Sequence, residues 1–147
     1  MELSADLKKE AIALLHQKNY ACVIVNHGVV STYTGRGVSD LYKLLKTESN
    51  VLNGSFVADK VIGKGAAALM ILGGVKDVYT DLISVAALQL FQQTDIKLDY
   101  AKKVEGIQNR AGTGPCPVES LCRECRTAHE CLPLIDNFIT NRIKDNN

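Results

Sequence analysis

Three charged residues interrupt the longest apolar run of the chain, Val57 to Gly74, VADKVIGKGAAALMILGG. They are Asp59, Lys60 and Lys64. Read as a helix, the run places Asp59 at the N-cap and Gly73 and Gly74 at the C-cap. Lys60 and Lys64, at i and i+4, then share a face beside the helix N-terminus. Free N–H groups and a partial positive charge there already favour an anion. Asp59 can orient a lysine or act as a base. A desolvated lysine can serve as acid, base or nucleophile. The plain alternative is a capping aspartate with two lysines reaching to solvent.

A second group lies in Asn109-Arg110-Ala111-Gly112-Thr113-Gly114-Pro115-Cys116. Glycines let a backbone approach a ligand closely, and a guanidinium forks onto carboxylate or phosphate. Pro117 suits the first position of a helix, which makes Cys116 its N-cap. A thiol at a helix N-terminus is a better nucleophile. Glu119, one turn on, is either its acid–base partner or a favourable charge for the helix dipole. Asn109, Arg110, Thr113 and Glu119 are therefore candidate ligand contacts, and Ser84, which caps a helix over 85–93, is another. The alternative is a plain loop closed by an inert thiol.

The third group is the cysteine cluster. Cys116, Cys122, Cys125 and Cys131 follow C-x5-C-x2-C-x5-C, with His129 inside it. Four thiolates suit structural zinc or an iron–sulfur cluster, although this spacing matches no standard run. If Cys116 belongs to the ligand site, three cysteines and His129 remain for a metal. A Cys122–Cys125 redox pair and buried inert thiols are the alternatives. Cys22 sits in a β-branched run and belongs to the core. His16 and His27 have no companions.

The totals limit what these groups can serve. The 147 residues carry a net charge of +1, with 46% apolar and 22% charged residues. That is an ordinary globular composition of single-domain size, with no bulk electrostatic pull on nucleic acid or an anionic membrane. There is no Trp and few Phe and Tyr, so rows of stacking platforms for single strands are not expected. No apolar stretch reaches the ~20 residues of a membrane span. The polar start, MELSADLKKE, does not read as a signal peptide. These features predict a cytoplasmic protein with reduced thiols, and its size makes a homodimer the default assembly.

The elements follow from pattern. Ser4 to Lys18 is an amphipathic helix on Leu7, Ala11, Leu14 and Leu15. Tyr20–Val25 and Val29–Thr34 are strands joined by a turn at Asn26-His27-Gly28. Ser39–Lys46 is a short helix, and 47–55 a loop with Leu52 tucked in. After the central helix come a strand from Lys76, the helix capped by Ser84, and a strand over Ile96–Val104. Helical residues follow Cys116. Pro133 interrupts them, and a last helix runs over 134–143. Strands alternating with helices favour a three-layer α/β/α sandwich, and the hairpin makes the sheet mixed. One domain over 1–147 is expected, with a Cys-rich helical segment at 116–143.

The motifs VADKVIGKGAAAL, GGVKDVYTDLIS and NRAGTGPCPVE resemble an uncharacterised bacterial and archaeal family. It is a domain of unknown function grouped with the cytidine-deaminase-like superfamily. The resemblance runs from about Ala21 to Glu119. It implies a cytidine-deaminase-like sandwich with its site at the start of the central helix. A zinc deaminase carries H-x-E there and P-C-x-x-C at the next helix. Here those places read Val57-Ala58-Asp59-Lys60 and Asp81-Leu82-Ile83-Ser84-Val85. Neither supplies a ligand set, so no deaminase-type zinc is expected. The expected function is a domain or enzyme for a small polar ligand, anionic or nucleotide-related. It would use Asp59, Lys60, Lys64 and Cys116 chemically. The alternative is a non-catalytic sensor or interaction module built on the C-terminal cysteines.

Overall fold

The structure, a computed structural model, describes residues 5–35, 38–108 and 112–145. β1 (Cys22–Asn26) and β2 (Val29–Tyr33) pair antiparallel with Asn26 opposite Val29. His27 and Gly28 therefore form the whole turn, at φ 52° and 75°. Positive φ at both central residues gives the turn whose twist suits a hairpin.

The apolar run Val57–Gly74 is two elements. β3 (Phe56–Ile62) comes first, Gly63 turns the chain, and α4 (Lys64–Gly73) follows, closed by Gly74 at φ 80°. Asp59 is thus not an N-cap, and Lys60 shares no helix face with Lys64. A strand in the middle of a sheet and a helix covered all round are both continuously apolar, so periodicity does not separate them. Composition does: Val57, Val61 and Ile62 suit a strand, and Ala66, Ala67 and Ala68 a helix.

β4 (Asp77–Ser84) and β5 (Lys97–Val104) complete a sheet of order β2-β1-β3-β4-β5. β1 runs antiparallel to both neighbours, and β3, β4 and β5 are parallel. Helices cover both faces. α1 (Ala5–Gln17) packs Ala11 and Leu15 on Val23, Val25, Phe56 and Ala58. The other face carries the larger core, shared by α2 (Ser39–Thr47), α3 (Ser49–Leu52), α4, α5 (Val85–Phe91), α6 (Pro117–Leu121) and α7 (Ala128–Asp145). This is the expected α/β fold with a mixed sheet and helices on both sides.

Two further differences have local causes. The expected loop over 47–55 contains α3 (Ser49–Leu52), and the Asn26 side chain donates to the carbonyls of Asn50, Val51 and Asn53 at its end. Leu52 is fully buried, as its type suggested. Pro133 lies inside α7 rather than ending it. The helix start is pinned by Thr127, whose hydroxyl accepts from Glu130 N, while the Glu130 carboxylate accepts from Arg126 N. T-x-x-E is a capping-box signature that outweighs a proline early in the helix.

The sheet departs from regular alternation near the site. Val57 and Ile62 both face the larger core although they are five apart, and so do Val78 and Ile83. Side-chain alternation therefore slips by one residue in two paired strands. The slip falls at Asp59 to Val61 and Thr80 to Leu82. There Asp59 Oδ1 accepts from Val61 N at 3.3 Å, and Thr80 Oγ1 donates to Leu82 O at 2.9 Å.

Candidate functional site

A cavity of about 720 Å³ opens where β3 ends and α4 begins. Asp59, Lys60 and Val61 of β3, Gly63, and Gly65 and Ala66 of α4 form one side. Ile107, Gln108, Cys116, Val118 and Glu119 form another, and Phe138 and Ile139 of α7 close it. The carboxyl end of a parallel strand at the start of a helix is where open α/β sheets commonly take ligands. The volume lies within the ~300–1,000 Å³ of small-molecule sites.

Asp59 is the unusual wall residue. It is 9% exposed, on the face shared with Val57 and Cys22. Burial raises its pKa from 3.8 to about 7, with a further push from Asp81. The N–H groups of Val61 and Lys60 oppose the rise without cancelling it. Around neutral pH this carboxyl is therefore present both as a hydrogen-bond donor and as an acceptor. Lys60 beside it is half-buried and carries the positive charge on this wall. Cys116 caps α6 with Pro117 at the first helical position, as expected, and its thiol side lines the cavity half-buried.

Glu119 is tied to the backbone. Its Oε2 accepts from Ile107 N at 2.7 Å and its Oε1 from Lys64 N at 3.3 Å. It thus occupies the N-terminus of α4, whose N-cap Gly63 offers no side chain. A carboxylate there suits the helix dipole and takes up an N–H that would otherwise face an anion. Lys64 points elsewhere. It is 6% exposed, and its ammonium donates to the carbonyls of Arg123 and Cys125. The expected anion corner of Lys60 and Lys64 does not assemble, because the two lysines leave from different elements.

The other expected contacts divide. Ser84 is fully buried, caps α5 by accepting from Ala87 N at 3.1 Å, and does not line the cavity. Thr113 is exposed and outside the lining. Asn109 and Arg110 lie outside the described residues. Among the apolar lining residues, Val38, Phe138 and Ile139 were not marked as site residues from sequence. Apolar residues lining a cavity carry the same pattern as those filling a core, so no signal marked them.

The cysteines also divide. Cys122, Cys125 and Cys131 bring their sulfur atoms within 4.8 Å of one another. Cys116 stays with the cavity, and His129 is exposed on α7. A hydrogen bond from Cys131 moves the Cys122 thiol down, and the same bond moves Cys131 well up. Burial raises Cys125. The positive charge of Lys64 acts on all three in favour of thiolate. His16, expected to be alone, bonds Asp81 at 2.8 Å, and Asp81 also accepts from the Tyr79 hydroxyl at 2.6 Å.

The fold and the cavity define an α/β protein with a ligand-sized space at the edge of its parallel strands. The chain belongs to the family described as Domain of unknown function (DUF1893), which matches residues 10–139. A crystal structure of a DUF1893 family protein from Thermotoga maritima superposes with TM-score 0.83 at 23% identity, covering 92% of each chain. A Thermotoga maritima diaminohydroxyphosphoribosylaminopyrimidine deaminase/5-amino-6-(5-phosphoribosylamino)uracil reductase aligns at TM-score 0.44 and 14% identity, over 65% of this chain and 35% of its own. No curated protein sequence matches the chain. Among the described residues no helix is long and apolar enough to cross a membrane.

Proposed function

We propose that the chain binds, and through Asp59 acts on, a small polar molecule held in the cavity between β3, α4 and α6. The observation that carries this reading is the Asp59 carboxyl: it is nearly buried, faces a cavity of ligand size, and has a pKa near 7. A carboxyl raised by desolvation in a cleft is how proteins poise an acid–base group. The mostly apolar walls suit a planar body. Asp59 suits a carbonyl or ring nitrogen at its edge, donating to the first when protonated and accepting from the second when ionised. Lys60 can meet an anionic substituent. Together these features favour a nucleobase- or nucleotide-related metabolite over a bare phosphate, since Glu119 already occupies the start of α4. The setting is the cytoplasm, and the chain acts as one unit, alone or as a homodimer.

The test is ligand-induced stabilisation. Purified protein is screened by thermal shift against nucleobases, nucleosides, nucleotides and small carbonyl metabolites. The expected result is a hit whose stabilisation grows with concentration, with affinity reduced about tenfold or more in Asp59→Asn. Affinity should change as pH passes through about 7 in titrations of the natural chain, and this change should be absent in D59N. A hit bound equally well by D59N, or no hit across these classes together with no co-purifying small molecule by mass spectrometry, would sink the reading.

A further inference from the structure

Three observations converge behind the cavity wall. The sulfurs of Cys122, Cys125 and Cys131 lie within 4.8 Å of one another, from the end of α6, the following turn and the first turns of α7. Cys122 and Cys131 are fully buried and Cys125 is half-exposed. The Lys64 ammonium is buried beside them and bonded to the carbonyls of Arg123 and Cys125 within the same turn.

We propose that Cys122, Cys125 and Cys131 form a mononuclear site for a thiophilic divalent cation of the zinc class, with the Lys64 ammonium as its buried counter-charge. This is independent of the reading of the cavity. A zinc–sulfur bond is ~2.3 Å, so tetrahedral thiolates stand ~3.8 Å apart. Sulfurs already within 4.8 Å reach that spacing with small side-chain adjustments. A cluster of several irons holds its thiolates further apart and would have to open the group. Charge points to a divalent ion: three thiolates and one divalent cation sum to −1, and Lys64 brings the buried group to zero. An uncompensated buried charge would be costly.

Among the described residues no fourth Cys, His, Asp or Glu joins the group. The fourth position therefore falls to water or an exogenous ligand, entering on the half-exposed side at Cys125. The site would fasten α6 to α7, and α6 carries the cavity residues Val118 and Glu119.

The experiment uses the full chain, reduced and freed of metal under anaerobic conditions, then titrated with Co²⁺ and back-titrated with Zn²⁺. The expected result is about one equivalent bound, with thiolate-to-cobalt charge transfer and the intense visible bands of a four-coordinate ion that Zn²⁺ displaces. Cys125→Ser, at the exposed edge, should fold normally by circular dichroism and bind about 100-fold more weakly or worse. Cys116→Ser should bind like the natural chain. Loss of binding in C116S would overturn the three-cysteine site in favour of a four-cysteine one. Thiols that all react freely with a chromogenic disulfide after zinc addition would overturn it too. So would iron–sulfur absorption in protein purified without air, or a disulfide among these cysteines that reduction cannot replace by bound metal.

Discussion

Asp59 is where a single residue reports on the state of the molecule. Its folded pKa of about 7 lies above the unfolded 3.8, so the folded chain keeps a proton that the unfolded chain has released. Its stability contribution is complete below about pH 4 and is lost as pH rises through about 7, by at most about 1.4 kcal/mol per pH unit. Asp59→Asn keeps an acceptor for Val61 N and removes the titration. The expected result in urea unfolding is that the two proteins differ least near about pH 4. The variant then gains on the natural chain up to about pH 7, and the gap stays constant above that. A pH-independent gap would mean that the carboxyl is solvated and the cavity wetter than its walls suggest. Lys64 shows the opposite use of a buried charge. Its ammonium is spent on two carbonyls and is best understood through the cysteines beyond them.

Among the elements, the packing of α4 on α6 sets the shape of the cavity wall. A Cβ added at Gly65 would lie 2.4 Å from Val118 Cγ1 and 3.4 Å from Val38 Cγ1. Gly65→Ala gains up to about 1 kcal/mol of helix propensity but forces α6 outward, an overpacking cost of about 1–3 kcal/mol. The net expectation is a lower melting temperature and a change in the thiol reactivity of Cys116, which caps the displaced helix. Adding Val118→Ala should recover most of the loss, because it makes room for the new methyl. Strict additivity of the two changes in a double-mutant cycle would show that they do not meet.

The same elements show what a sequence can and cannot reveal. The hairpin, the Ser84 cap, the Cys116–Pro117 helix start and the Gly74 stop were legible, because each rests on local chemistry. The division of the apolar run was not. β3 and α4 are both wrapped by neighbours, so the polar face that would have revealed a period is missing from each. That one misreading turned Asp59 from a strand residue on a cavity wall into a helix cap, and paired two lysines that lie on different elements. Candidate residues were thus picked by type, and Asp59, Lys60 and Lys64 were misplaced in geometry. Convergence of three cysteines but not the fourth depends on how α6 meets α7, which spacing alone does not encode.

At the scale of the whole molecule, the two faces of the sheet are unequally guarded. One face is covered by six helices and a large core. The other has α1, which buries Ala11 and Leu15 against four sheet residues, with Ile12, Leu14, Tyr20 and Tyr79 at the margin. Its polar anchors are at the margin of this core: half-buried Lys8 pairs with Asp77, and the more exposed His16 with Asp81. Solvent-accessible pairs contribute roughly 0–1 kcal/mol each, so α1 is held mainly by the few apolar side chains beneath it. Cooperative units with few buried apolar contacts open below the global unfolding energy. Native-state hydrogen exchange should therefore find the α1 amides exchanging together, at a lower free energy than those of α4, and with little denaturant dependence. Leu15→Ala, at a fully buried site, should lower the α1 opening energy by about 2–5 kcal/mol. The α4 amides should fall by the same amount, since the larger core of which α4 is part opens only in states that α1 has already left, and the gap between the two elements should persist. Equal opening free energies for α1 and α4 in the natural chain would show that the two cores unfold as one and that the thin face is as cooperative as the thick one.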